Sequence, residues 1–264
     1  MNAAAQLEAG PAAAPIGVLL LHGVGGGKAI WGPRGSDTVA TLGRAGYRAV
    51  ALDFPGYGDA AQAGPPTLDT MVAAARVCID AGPQQRWVVV GHSMGGMVAQ
   101  ELVARSGERI AGLVLACTTA AFGKADGAWQ AQFLAERLAP LDAGRGMAGT
   151  AAELVPGLVS PQAPAAALAA ATAVMAAVPE TTYRAALQAI VGFDRRAALV
   201  AISVPTLLLA AEHDRTAPPE VMQRLAPRIP GSEYYCLEDA GHIANVEQPQ
   251  AFNTVLLAFL QRHC

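Results

Sequence analysis

Charged and aromatic residues are scarce in this chain of 264 residues, and their scarcity narrows the possible functions. Asp, Glu, Lys and Arg make up 15% of the sequence, aromatic residues make up 5%, and the formal net charge is −3. Nucleic acids and anionic membranes attract proteins through clusters of positive charge. This weakly acidic composition gives no reason to expect either of them as a partner.

Cysteine is also rare, and its spacing forms no motif. The four cysteines are Cys78, Cys117, Cys236 and Cys264. Neither a zinc-binding spacing nor a disulfide framework is present, so we expect reduced thiols and no metal. Residues 1–15 lack the basic segment of a signal peptide and include an acidic residue, Glu8. Together these features predict a cytoplasmic protein.

A long apolar helix is missing as well. Residues 155–179 contain no charged residue, but prolines interrupt them repeatedly and alanine predominates. A membrane span needs about 20 apolar residues in one helix. We therefore interpret this segment as packed helices.

The most informative stretch that is present is Gly91-His92-Ser93-Met94-Gly95, a G-x-S-x-G motif. An apolar run precedes it and a helix-forming stretch follows it, which is the context that a nucleophile elbow requires. At such a turn the flanking glycines leave room for a strained backbone, and the serine hydroxyl is lifted clear of the sheet. Ser93 is therefore the candidate nucleophile.

Apolar runs alternate with helical patterns along most of the chain, which predicts an α/β fold with a doubly wound, mostly parallel sheet. Besides the run before Gly91, the predicted strands cover residues 16–21, 47–54, 110–117, 205–211 and 233–237. Predicted helices cover residues 36–45, 67–81, 94–106, 219–226 and 249–262. Between residues 118 and 204 only helical patterns occur, at 127–138, 148–155, 165–178 and 181–191. We predict a core of residues 15–118 and 204–264 with a helical cap over residues 119–203, placed to act as a lid.

A serine nucleophile needs a base within hydrogen-bond reach, and the base needs an acceptor that fixes its tautomer. His242 is the candidate base, because its loop follows a predicted strand and returns to the sheet edge that carries Ser93. Asp214, directly after the strand at 205–211, is the candidate acid. The competing acids are Glu212, Glu238 and Asp239. The chain order of nucleophile, acid and base agrees with this type of elbow.

Acyl transfer also needs N–H donors aimed at the developing oxyanion. The backbone N–H of Met94, next to the nucleophile, is one candidate, and the N–H of Val24 in the glycine-rich loop after the first buried strand is the other. A glycine-rich loop could instead hold phosphate. However, this one lacks the G-x-x-x-x-G-K-[ST] spacing, and no acidic residue stands where a dinucleotide ribose would need it. We expect no cofactor.

Three segments together resemble the α/β-hydrolase superfamily over residues 16–262. They are the motif around Ser93, residues 205–214, and residues 240–249. The last of these is most similar to 3-oxoadipate enol-lactonases and related small carboxylesterases. The resemblance implies a mixed sheet, a helical cap, a Ser-His-Asp triad of Ser93, His242 and Asp214, oxyanion donors at Val24 and Met94, and no cofactor.

Other branches of the superfamily fit less well. Meta-cleavage C–C bond hydrolases usually have asparagine before the nucleophile and tryptophan after the base, where this chain has His92 and Ile243. Haloalkane dehalogenases use a carboxylate nucleophile. Because this chain has Ser93 at that position, it does not belong to their class. Cofactor-free perhydrolases use the same triad and stay open as an alternative, as does a C–C bond hydrolase.

The sequence departs from the superfamily at its N-terminus, where a two-stranded hairpin usually comes first. Only residues 1–15 precede the first buried strand, and we expect them to form a flexible tail and the hairpin to be shortened or absent. The strand at 47–54 would then lie near an open edge. Open edges invite self-association, so we predict a homodimer.

These observations predict a serine hydrolase that cleaves a small carboxylic ester or lactone. A hypothesis of another class is a ligand receptor that keeps the hydrolase site with little turnover. An anionic substrate would call for an arginine in the cavity. Three arginines of the cap are available for that role: Arg137, Arg145 and Arg184.

Overall fold

A twisted seven-stranded sheet forms the centre of the computed structural model, which describes residues 5–60, 65–123 and 127–264. The strands are β1 (Gln6–Ala9), β2 (Ile16–Leu21), β3 (Arg48–Leu52), β4 (Arg86–His92), β5 (Ile110–Ala116), β6 (Thr206–Ala211) and β7 (Glu233–Leu237). Their order across the sheet is β1-β3-β2-β4-β5-β6-β7. Every neighbouring pair is parallel except β1 and β3, which are antiparallel. The predicted fold class is confirmed.

Ten α-helices occur in the described part of the chain. They are α1 (Thr38–Arg44), α2 (Leu68–Ala81), α3 (Met94–Ser106), α4 (Ala128–Asp142), α5 (Gly146–Leu154), α6 (Ala165–Ala176), α7 (Glu180–Ile190), α8 (Pro219–Gln223), α9 (Ala244–Glu247) and α10 (Pro249–His263). Helix α8 is shorter than predicted, because the chain changes to a 3₁₀ turn at Ala226–Arg228. Helix α9 has no counterpart among the predicted helices, since its four residues are too few to show a helical period.

Both faces of the sheet are covered, which explains why β2, β5 and β6 are buried along their whole length. Side chains alternate between the faces of a strand. In β2, Leu19 and Leu21 belong to one apolar core, and Val18 and Leu20 belong to the other. Helices α2 and α3 contribute to the first core, and α1 and α10 contribute to the second. A strand buried on both sides reads as a continuous apolar run, as seen in the sequence.

The N-terminal segment differs from the prediction. Residues 6–9 do not form a tail but a short strand that covers β3, with Glu8 paired to Arg48 and Leu7 packed against the second core. The rest of the predicted tail includes residues 1–4, which lie outside the described part of the chain. Strand β1 therefore covers the edge of β3. The prediction that β3 lies at an open edge, where a second molecule could pair with it, is wrong. A homodimer itself stays a prediction.

Helices α4 to α7 lie between β5 and β6 in the chain, in the segment predicted to be a cap. Helix α4 packs against α7, and α6 packs against α9, just beyond the loop of His242. No single helix in the described ranges has the length and apolarity of a membrane span. Only α6 and α7 taken together reach them, and these two helices are bent by 97°. The boundaries of the cap at residues 119 and 203 stay a prediction.

Candidate active site

Ser93 occupies a strained turn between the end of β4 and the start of α3. Its φ of 54° lies in the left-handed region, which non-glycine residues rarely adopt. A Cβ on Gly91 would lie 2.3 Å from the carbonyl oxygen of Gly95, and a Cβ on Gly95 would lie 2.4 Å from the carbonyl oxygen of Leu21. Only glycine fits at these two positions, and this is the physical reason for the G-x-S-x-G spacing.

The structure brings the predicted nucleophile, base and acid together. Nε2 of His242 lies 3.0 Å from Oγ of Ser93, and its Nδ1 lies 2.8 Å from Oδ2 of Asp214. If Nδ1–H donates to the carboxylate, Nε2 is left to accept the hydroxyl proton of Ser93. The side chain of His242 is 8% exposed and that of Asp214 is fully buried. These are the contacts that a serine nucleophile needs for activation.

Asp214 is held in its ionised form. Its Oδ1 accepts hydrogen bonds from the backbone N–H groups of Thr216 and Ala217, at 2.7 and 2.9 Å. Burial alone would raise the pKa of this carboxyl, but the neighbouring His242 and these hydrogen bonds outweigh it and lower the pKa. The carboxylate is therefore a fixed acceptor at neutral pH.

The acids that compete with Asp214 in the sequence do not contact His242. Glu212 accepts a hydrogen bond from the backbone N–H of Asp239 at 3.0 Å, and both carboxylates lie near His213. Ligand atoms of these three residues lie within 4.8 Å of one another, but none of the three lines the cavity and both acids are exposed. The absence of a metal stays a prediction.

Glu247 is a buried residue whose individual role no sequence motif indicated. Its carboxylate accepts backbone N–H groups from Gly241 and Ile243, on both sides of His242, and from Ser160 in the segment between β5 and β6. Burial raises the pKa of this carboxyl despite its three donors. The only sequence signal was its place in the segment 240–249. Glu247 therefore holds the loop of His242 and ties it to the segment between β5 and β6.

His92 has a defined position beside the nucleophile. Its Nε2 lies 2.6 Å from the carbonyl oxygen of His242, so Nε2–H is the donor. Burial, and then the nearby His242, lowers the pKa of His92 to about 3. His92 is therefore a neutral histidine that holds the backbone of His242.

The loop predicted to supply an oxyanion donor lies on the wall of the same cavity. Its turn is closed by a hydrogen bond of 3.0 Å from the N–H of Gly26 to the carbonyl of Gly23, and the hydroxyl of Tyr57 donates to the carbonyl of Val24 at 2.9 Å. His22 supports the loop from below. Its Nδ1 lies 2.8 Å from the Gly23 carbonyl, and its Nε2 accepts the N–H of Phe54. Burial lowers the pKa of His22, which keeps this imidazole neutral.

The cavity above Ser93 is mainly apolar. Ser93, His242 and Val24 line it. Apolar side chains of the segment between β5 and β6 line its walls: Phe122, Phe133, Met175, Leu187 and Ile190. Among the described residues around it, Arg137 is the only one with a permanent charge. The cavity suits a small, largely apolar molecule with a polar group.

Strand β4 leads into a nucleophile elbow, and loops after later strands carry an imidazole and a carboxylate. This arrangement defines an α/β hydrolase. The family model for the alpha/beta hydrolase fold matches residues 17–249, and the chain belongs to this family.

Named relatives resemble the chain over most of its length. A putative carbamate hydrolase RutD of Variovorax paradoxus is 35% identical over 257 residues, which are 93% of this chain and 91% of the relative. The 3-oxoadipate enol-lactonase 2 of Acinetobacter baylyi is 31% identical over 224 residues, covering 82% of this chain and 79% of the relative. The crystal structure of the enol-lactonase from Burkholderia xenovorans LB400 superposes with a TM-score of 0.83 at 27% identity, covering 97% and 95% of the two chains. These similarities support a hydrolase activity of the esterase type.

Proposed function

We propose that the protein is a serine hydrolase that cleaves a small carboxylic ester or lactone. One observation carries the proposal. Oγ of Ser93, the imidazole of His242 and the carboxylate of Asp214 form a continuous hydrogen-bonded chain that opens into an apolar cavity. The names of the two enol-lactonases that resemble the chain support the same class of substrate.

In the first half-reaction Ser93 attacks the carbonyl carbon while Nε2 of His242 takes the hydroxyl proton. Asp214 stabilises the imidazolium that forms, and its lowered pKa keeps it ionised during this step. The proton then passes to the alkoxide leaving group as the C–O bond breaks. The result is an acyl-enzyme on Ser93.

The tetrahedral oxyanion needs two N–H donors, and we assign these to the backbone of Met94 and Val24. Met94 is the first residue of α3, so its N–H lies at the positive end of the helix dipole. In the second half-reaction His242 takes a proton from water and the hydroxide attacks the acyl carbon. The bond between that carbon and Oγ of Ser93 then breaks, the carboxylic acid leaves, and His242 returns the proton to Ser93.

The central test compares the wild-type protein with Ser93→Ala on short-chain p-nitrophenyl esters and simple lactones. We expect multiple turnover and labelling by a fluorophosphonate probe in the wild type, and loss of both in the variant. Ser232→Ala is a matched control, because this serine only bonds the backbone carbonyl of Ala226, in the loop before β7. Turnover retained by Ser93→Ala would remove Ser93 from the mechanism.

A carbamate is the second candidate substrate, favoured by the 35% identical relative that is named as a putative carbamate hydrolase. The same attack on a carbonyl carbon would apply, with an alkoxide or phenoxide as the leaving group and a carbamoyl-enzyme that water then hydrolyses to carbamic acid. Matched phenyl acetate and phenyl carbamate substrates distinguish the two, since faster turnover of the carbamate would move the assignment away from esters.

Two of the open alternatives predict different experimental results. A perhydrolase would brominate a β-diketone when given acetate, hydrogen peroxide and bromide, and would do so faster than it hydrolyses esters. A ligand receptor would show a single slow turnover and a large rise in melting temperature on ligand binding. Either outcome would replace the esterase assignment.

A further inference from the structure

Arg137 stands apart from the other arginines between β5 and β6. Arg145 pairs with Glu153, Arg184 with Glu180 and Asp142, and Arg195 with Glu101, while Arg196 pairs with Asp194. Arg137 has no carboxylate within salt-bridge distance among the described residues. It is also the arginine of this group that lines the cavity above Ser93.

The surroundings of Arg137 leave its charge without an anion. Its guanidinium carbon lies 5.3 Å from the centre of the Phe133 ring, so one face of the group is covered by an aromatic side chain. No Asp or Glu lines the cavity in the described part of the chain. A guanidinium beside apolar walls loses part of its hydration, and it regains that free energy when it binds an anion.

Tyr183 is a second donor on the same wall. It belongs to α7, which packs against the helix that carries Arg137, and both side chains line the cavity. Burial raises the pKa of Tyr183 to about 12, and the positive charge of Arg137 acts in the opposite direction. The phenol is therefore protonated and able to donate.

We propose that Arg137 and Tyr183 form a carboxylate-binding subsite, and that the substrate is an ester or lactone whose far end carries a carboxylate. The planar guanidinium offers two parallel N–H donors to a carboxylate, and the phenol offers a third. Ser93 and Arg137 line the same cavity, where they would hold the two ends of the substrate. The proposal rests on the proposed hydrolase function of Ser93 and narrows its substrate class.

The test uses pairs of methyl esters that differ only in charge. Monomethyl esters of straight-chain dicarboxylic acids, from four to eight carbons, are compared with the corresponding primary amides, which have the same shape without the charge. We expect the wild type to prefer the carboxylate at one chain length, by about 10- to 100-fold in kcat/KM, as for a charged hydrogen-bonded pair. In Arg137→Gln this ratio should fall to about one.

Two further variants test whether the loss of preference is specific to the guanidinium of Arg137. Arg145→Gln is the matched control, because Arg145 is exposed and its carboxylate partner is Glu153, and it should keep the wild-type ratio. Arg137→Lys retains the charge without the bidentate geometry and should keep part of the preference. No preference in the wild type at any chain length, or an Arg137→Gln variant that keeps the ratio, would overturn the proposal.

Failure of the subsite and failure of the hydrolase assignment remain distinguishable. If no ester of either series is turned over, Ser93→Ala protein can be titrated calorimetrically with the intact half-ester and with its amide. Tighter binding of the half-ester that disappears with Arg137→Gln supports the subsite even without turnover. Equal binding of the two compounds contradicts it.

Discussion

Nε2 of His92 donates a hydrogen bond of 2.6 Å to the backbone carbonyl of His242. The two residues are 150 positions apart in the chain, and the contact joins the turn of Ser93 to the loop of His242. The imidazole rings lie 5.1 Å apart. This hydrogen bond therefore links the turn of Ser93 to the loop of His242 through a buried, neutral side chain.

Replacing His92 tests this positioning role. In His92→Gln the side-chain amide can still donate to the His242 carbonyl, whereas in His92→Leu the buried carbonyl loses its partner. Leaving a buried polar group without its hydrogen bond costs about 1–3 kcal/mol. We expect the loop of His242 to move in order to recover part of this free energy, and this movement would displace the imidazole. We expect kcat for a short-chain ester to fall about 10-fold in the leucine variant and about 2-fold in the glutamine variant, with KM little changed. Equal kcat values for the two variants would contradict the role.

The pH dependence of stability offers an independent test of the buried histidine. Its pKa is lowered from 6.5 to about 3, so below pH 6.5 the unfolded chain binds a proton that the folded protein does not. The free energy of unfolding therefore has its full value, as far as His92 is concerned, above pH 6.5. It decreases by about 1.4 kcal/mol per pH unit for this one site as the pH falls from 6.5 towards 3. His22, whose pKa is also lowered, contributes in the same direction.

Urea unfolding at several pH values between about 7 and 4 measures this dependence. The free energy of unfolding of His92→Gln should fall less steeply than that of the wild type, by about 1.4 kcal/mol per unit below about pH 6. Parallel curves for the two proteins would show that His92 is not buried in its neutral form.

Much of the fold followed from the sequence because its signals are local. The limits of α3 and β2 agree with the prediction to the residue, since a strained glycine turn and a buried apolar run mark where such elements begin and end. Strand β1 was missed, because its four residues alternate weakly and become a strand only by pairing with β3. Pairing with a strand about 40 residues away is not visible in a local pattern.

The candidate site shows the same division. The topology of the sheet predicted that Ser93, Asp214 and His242 would meet at one edge, because the carboxyl ends of parallel strands share that edge. The roles of Glu247 and His92 depend on single hydrogen bonds to distant backbone groups, which no spacing rule predicts. Selecting Arg137 from the three arginines likewise required knowing which of them have carboxylate partners.

Glu247→Gln should weaken both stability and catalysis. The carboxylate accepts three backbone N–H groups at 2.7–3.0 Å, and an amide would turn its own N–H donors towards at least one of them. Relief from burying a charge offsets part of the loss, and we expect a net destabilisation of about 2 kcal/mol. Since two of these donors flank His242, kcat should fall as well.

The control for this change is Glu153→Gln, which removes an exposed carboxylate paired with Arg145. Surface pairs of this kind contribute about 0–1 kcal/mol, so its melting temperature and kcat should stay close to those of the wild type. Urea unfolding and ester turnover measure both quantities. Equal effects of the two substitutions would mean that Glu247 does not organise the loop of the base.

Gly91→Ala tests the steric origin of the elbow. The new Cβ would lie 2.3 Å from the backbone oxygen of Gly95, a contact that cannot be relieved by rotating a side chain. We expect a destabilisation of about 3 kcal/mol, which for a protein of this size lowers the melting temperature by about 6–12 °C. Gly157→Ala is the matched control, because a methyl group there would meet no atom within 4 Å and the backbone of Gly157 is outside the left-handed region. Thermal unfolding followed by circular dichroism compares the two variants, and a melting temperature for Gly91→Ala within about 2 °C of the wild type would show that the turn can relax around a methyl group.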